Sequence, residues 1–76
     1  MNRYKIIFKN YDRTHGEFNN FIGFIINEKG NFINIYWNYG NKRLYQTLYI
    51  DQYKEIEIYL DDTKIYYFKD GKEINI

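Results

Sequence analysis

His15 stands between Asp12 and Glu17 in the segment NYDRTHGE, and it is the one histidine of the chain. An imidazole flanked by carboxylates is the raw material of a metal site or a general base. Three such residues scattered through a polar loop also arise easily by chance, and an exposed loop histidine is the commoner outcome. Asp61-Asp62 is a second carboxylate pair. At the tip of a hairpin, adjacent Asp residues supply turn geometry far more often than ligands. The chain has no Ser and no Cys, which removes the usual nucleophiles, and it carries no glycine-rich phosphate loop and no paired-histidine motif. The expectation is a non-enzymatic protein with no metal and no cofactor.

What the chain does have is aromatic surface. Phe, Trp and Tyr make up 22% of it, with 10 Tyr. Alternation places many of these on one side of a sheet: Phe32, Tyr36, Tyr45, Tyr49, Tyr59 and Tyr66, with Arg43, Lys64, Glu55 and Glu57 nearby. Cross-strand aromatic pairs stabilise a sheet by about 0.2–1 kcal/mol each, which accounts for two or three such residues better than for six. Tyrosine combines a rigid apolar body with a polar tip and loses little side-chain entropy when held, and interfaces are enriched in it. Phe32, Tyr36, Arg43, Tyr45, Tyr49, Tyr59, Lys64 and Tyr66 are therefore the candidate partner-binding residues. The competing expectation is that the segment from Phe18 to Asn27 covers this face.

The elements that must position these residues are strands. In NFINIYWNYGNKRLYQTLY the positions Ile33, Ile35 and Trp37 are apolar while Phe32, Asn34, Tyr36 and Asn38 point the other way. Gly40-Asn41 suits a type II′ hairpin, which pairs Trp37 with Leu44, Ile35 with Gln46 and Ile33 with Leu48. Tyr36 then meets Tyr45, Asn34 meets Thr47 and Phe32 meets Tyr49. A three-residue loop at Gln52-Tyr53-Lys54 would pair Ile50 with Ile56 and Leu48 with Ile58. Asp61-Asp62 pairs Ile58 with Ile65 and Tyr59 with Lys64, and Asp70-Gly71, a type I′ signal, pairs Phe68 with Glu73 and Tyr67 with Ile74.

Upstream, Arg3 to Lys9 alternates Tyr4, Ile6 and Phe8 against Arg3, Lys5, Ile7 and Lys9, and Asn10 to Gly16 reads as the one irregular loop. Glu17 to Asn27 is apolar on both sides, with Phe18, Ile22, Phe24 and Ile26 on one face and Phe21 and Ile25 on the other. Gly23 in its middle marks a bulge or sharp bend. A three-residue loop closed by Gly30 pairs Ile25 with Ile33 and sends Ile22, Phe24 and Ile26 to the tyrosine side. The fold expected is all-β: a single domain over residues 1–76, seven short antiparallel strands in a meander, curled into a small barrel or a strongly bent sheet.

Seventy-six residues bury only about 60% of their exposable surface on folding, and without cysteine no disulfide supports them. Homodimerisation would supply further burial. The chain contains no Ala, Val, Ser, Pro or Cys and is crowded with Ile, Asn, Lys, Tyr and Phe, the residues of A- and T-rich codons, which fits a phage or another mobile element. No apolar run approaches the roughly 20 residues of a spanning helix, and a cytoplasmic location, in a host cell, with no membrane contact is expected. Net charge is +1, with bases in excess through Lys54 and acids after it.

The leading functional expectation is a binding protein that inhibits a host defence protein or enzyme through the tyrosine face. A single-stranded nucleic-acid binder ranks second, with Arg3, Lys5, Lys9, Arg13, Lys42 and Arg43 forming a basic groove beside Tyr36 and Tyr45. A self-assembling structural subunit ranks third.

Overall fold

A computed structural model describes residues 3–76. The chain forms β1 (Tyr4–Lys9), β2 (His15–Phe21), β3 (Gly23–Asn27), β4 (Phe32–Tyr39), β5 (Lys42–Tyr49), β6 (Glu55–Leu60), β7 (Thr63–Lys69) and β8 (Lys72–Glu73). These eight strands make two antiparallel sheets, β2-β1-β6-β7-β8 and β3-β4-β5. All-β antiparallel architecture is as expected. The barrel and the single continuous meander are not: neither sheet closes on itself, and the two pack face to face.

The interior is built from the inward positions of both sheets. Ile6, Phe21, Ile56, Ile58 and Phe68 come from the five-stranded sheet, and Ile33, Ile35 and Leu48 from the three-stranded one. Burying one such side chain contributes about 1.5–3 kcal/mol. Tyr4, Phe8, Phe18, Phe24, Trp37 and Tyr66 pack around this centre, and Trp37 Nε1 donates to the Asn19 carbonyl at 3.2 Å.

The β4–β5 hairpin has the expected register throughout, from Tyr39 opposite Lys42 to Phe32 opposite Tyr49. Gly40 has φ of +60° while Asn41 stays out of the positive region, as a type II′ turn requires. Asp70 and Gly71 both have positive φ, a type I′ turn, and Phe68 faces Glu73.

Four expectations are overturned. Leu48 and Ile50 do not pair with Ile58 and Ile56, because β5 and β6 belong to different sheets. Gln52-Tyr53-Lys54 contains no residue suited to positive φ, so Tyr53 stays extended at φ −117° and ψ 143° and the chain does not reverse. Instead Ile50–Gln52 form one short 3-10 turn with Ile50 buried, the chain crosses the core edge, and β6 pairs with β1, Ile6 facing Ile58.

The second correction concerns β2 and β3. Asn20, at φ +59°, is an extra residue between Asn19, opposite Lys5, and Phe21, opposite Tyr4. This bulge slips the alternation by one, so Phe18 and Phe21 both face inward; a bend at Ile22 slips it again and brings Phe24 inward as well. The strand read as continuous thereby passes from one sheet to the other.

Third, the β3–β4 loop has four residues, because Asn31 rather than Gly30 takes positive φ, at 56°, and Asn27 Oδ1 accepts from Gly30 N at 2.6 Å. Ile26 therefore faces Ile33 and Phe24 faces Ile35, both on the core side. Fourth, Asp61-Asp62 forms its two-residue turn and Tyr59 meets Lys64, but Ile65 is bulged, so Ile58 faces Tyr66, and Glu57 faces Tyr67.

Candidate functional site

The eight candidate residues separate into three groups. Phe32, Tyr36, Arg43, Tyr45 and Tyr49 share the outward face of the three-stranded sheet. On β4 and β5 the core-side positions are Ile33, Ile35 and Leu48, and the residues between them face away. Tyr59 and Lys64 lie on the outward face of the other sheet, across the molecule. Tyr66 is turned inward by the bulge at Ile65, and its ring meets Phe24 edge-on at 5.8 Å. The sequence pattern merged faces that the crossing at Ile50 sets apart.

The outward face of the three-stranded sheet is a ladder. Phe32 and Tyr49 contact at 6.2 Å between ring centroids, Tyr36 and Tyr45 at 6.0 Å. Between these two pairs Thr47 Oγ1 donates to Asn34 Oδ1. The Arg43 guanidinium lies 4.7 Å from the Tyr36 ring centroid, and its Nε donates to Asn38 Oδ1 at 3.3 Å. Gly23 stands opposite Tyr36, and the phenol fills the space where a β-carbon would be. The bare backbone of Gly23 is thus what lets Tyr36 lie flat across β3.

Among the described residues no strand covers this surface. β3 lies beside β4 rather than over it, and Tyr45 and Tyr49 are 59% and 50% exposed. Ile25, 57% exposed and opposite Asn34, joins the same face. The exposure of Ile25, expected in the core opposite Ile33, follows from the four-residue loop Glu28 to Asn31; Asn31, well suited to positive φ, is its signal in the sequence. Among the described residues Arg43 is the one charged side chain on this face.

The outward face of the five-stranded sheet is a different surface. Lys64 Nζ lies 2.6 Å from Glu57 Oε2, and the Tyr59 hydroxyl donates to that same oxygen at 2.8 Å. Tyr67 donates to Glu55 Oε1, and Lys9 approaches Glu55 Oε2 at 3.4 Å. Burial pushes the Glu57 carboxyl up, but the hydrogen bonds from Lys64 and Tyr59 outweigh it and hold the group below its ordinary range. Glu55 is likewise held low, chiefly by the Tyr67 hydroxyl. The charges here satisfy one another.

The six cations expected to line one groove are dispersed: Lys5 and Lys9 alternate with buried Ile6 on the outward side of β1, whereas Lys42 and Arg43 begin β5. His15 opens β2 opposite Lys9 and is exposed, and Asp12 is engaged with Thr14, accepting from its N at 2.9 Å and from its hydroxyl. Among the described residues no group of three His, Asp or Glu is placed to hold a metal ion. Asp61 closes its turn against Arg3, accepting from Arg3 N at 2.9 Å. Among the described residues no helix is long and apolar enough to cross a membrane.

Compared with known proteins, the chain matches no family model, no curated protein and no solved structure.

Proposed function

We propose that this is a non-enzymatic binding domain whose contact surface is the outward face of the three-stranded sheet. The observation that carries the reading is the exposed ladder of Tyr45 and Tyr49 beside Phe32 and Tyr36, with Ile25 at its margin and Arg43 as its single charge. Rigid aromatic side chains around one Arg have the composition of binding hot spots. The partner that fits is a protein surface, apolar at its centre and carrying a carboxylate to receive Arg43. The finer form of the reading is a protein encoded by a phage or mobile element that occludes a surface of a host defence protein in the cytoplasm; the A- and T-rich residue usage supports it.

The test is affinity capture from host lysate with the unsubstituted chain and with Tyr45→Ser/Tyr49→Ser, each with and without nuclease. One stoichiometric protein should survive nuclease on the unsubstituted chain and be absent from the variant, whose circular dichroism stays that of a folded sheet. Equal retention by both chains would remove the face from the function. Material lost on nuclease treatment would favour a single-stranded nucleic acid as the partner.

A further inference from the structure

β5 is an edge strand of eight residues, paired with β4 on one side alone. The direction of its free backbone groups follows from the hairpin. A two-residue loop makes Tyr39 and Lys42 a hydrogen-bonded pair, and with them the pairs at Leu44, Gln46 and Leu48. The N–H and C=O of Arg43, Tyr45, Thr47 and Tyr49 therefore point away from β4. Two contacts agree: the Tyr36 carbonyl turns to β3, accepting from Ile22 N at 2.9 Å, and the Thr47 carbonyl, lacking a strand neighbour, takes a 3.4 Å contact from the Gln46 amide.

Edge strands normally carry a device that prevents pairing with another chain: shortness, a bulge, proline or an inward charge. Of the other edges in the described fold, β8 is two residues long and β2 is bulged at Asn20, and β3, at five residues, is shorter than β5. β5 has none of these beyond two basic residues at its start, its register with β4 runs without a shift, and all its residues but Leu48 are exposed.

We infer that β5 is a self-association edge, on which a second copy of this chain adds its own β5 antiparallel about a two-fold axis beside Gln46. Side chains directly opposite in an antiparallel pair share a face, so odd positions meet odd and even meet even. The register centred on Gln46 sets Leu44 against Leu48 of the second copy, Tyr45 against Thr47, and Arg43 against Tyr49. It brings the basic start of one strand, Lys42-Arg43, to the end followed by Asp51 in the other, and it opposes no like charges. Such a pairing closes on itself and stops at a dimer. It joins two three-stranded sheets into one of six, with both aromatic ladders on the same side. The inference is independent of what the aromatic face binds.

Pairing of residues 43–49, seven of the eight in each β5, lies at the small end of interfaces, whose stable examples bury about 1,200–2,000 Å² in total, so the dimer should assemble with concentration between about 1 µM and 1 mM. Sedimentation velocity over that range tests it, with Gln46→Lys and Gln46→Glu as variants. Gln46 is exposed and directs its backbone groups to β4, so each variant keeps the monomer's own ladder. Each alone places like charges opposite one another and should weaken the dimer roughly tenfold or more, whereas an equimolar mixture of the two should associate at least as well as the unsubstituted chain. A chain that stays monomeric at about 1 mM, a dimer that both variants retain, or a mixture that fails to reassociate overturns the inference.

Discussion

Glu57 is the residue at which the outward charge network meets the core. Its neighbour on each side, Ile56 and Ile58, is fully buried, and its own carboxylate is held ionised by Lys64 and Tyr59 against the upward push of burial. A carboxyl whose folded value lies below its unfolded one adds stability above the ordinary Glu value of about 4.3, and that increment is lost as pH falls through the depressed value. Glu55 behaves in the same sense. Urea midpoints should therefore fall as pH drops below about 4, and Glu57→Gln should make that fall shallower, with Glu55 supplying part of what remains. A variant whose midpoint declines as steeply as the parent's would assign the acid sensitivity elsewhere. At Gly23 the constraint is steric. A methyl group there meets the Tyr36 phenol, so Gly23→Ala should cost about 1–3 kcal/mol and lower Tm by roughly 4–8 °C per kcal/mol. In a Tyr36→Ser background the same change should cost clearly less, because the overlapping ring is gone; equal costs in the two backgrounds would show no coupling.

Among the elements, hairpins whose turn chemistry is explicit were legible from sequence. Gly40-Asn41 set every pair of β4 and β5, and Asp70-Gly71 set Phe68 opposite Glu73. The elements misread are those where one residue is added to a ladder. Asn20 and Ile65 each slip the alternation by one; Asn20, like Asn31, is of a type suited to the positive φ it adopts, whereas an Ile in a strand carries no mark that it will be passed over. The price of missing Ile65 was Tyr66, assigned to the surface and found against Phe24. Pairing of β1 with β6 was out of reach for a different reason: it joins segments remote in sequence, and no local turn encodes it. The candidate site was legible to the extent that it lies within one hairpin. Phe32, Tyr36, Arg43, Tyr45 and Tyr49 were found together because the β4–β5 turn alone places them. Tyr59 and Lys64 were separated from them by the long-range crossing at Ile50.

For the whole molecule, one interior serves both sheets. Ile58→Ala, at a site with no exposed surface, should cost about 2–5 kcal/mol. Because Ile58 packs in the same cluster as Ile33 and Ile35, hydrogen exchange should show amides of the three-stranded sheet losing protection by the same factor as those of β1 and β6. Undiminished protection in β4 would mean that its sheet holds together alone. The placement of β1 also bears on how the protein is made. Its central neighbour in the finished sheet is β6, with Lys9 opposite Glu55, so during synthesis β1 waits for a strand made much later in the chain. At about 5–20 residues per second that wait lasts on the order of seconds, during which the nascent chain holds Ile33, Ile35 and Leu48 uncovered. The core is complete only once β6 has arrived beside β1, and the interval before it is when a chaperone has a surface to hold.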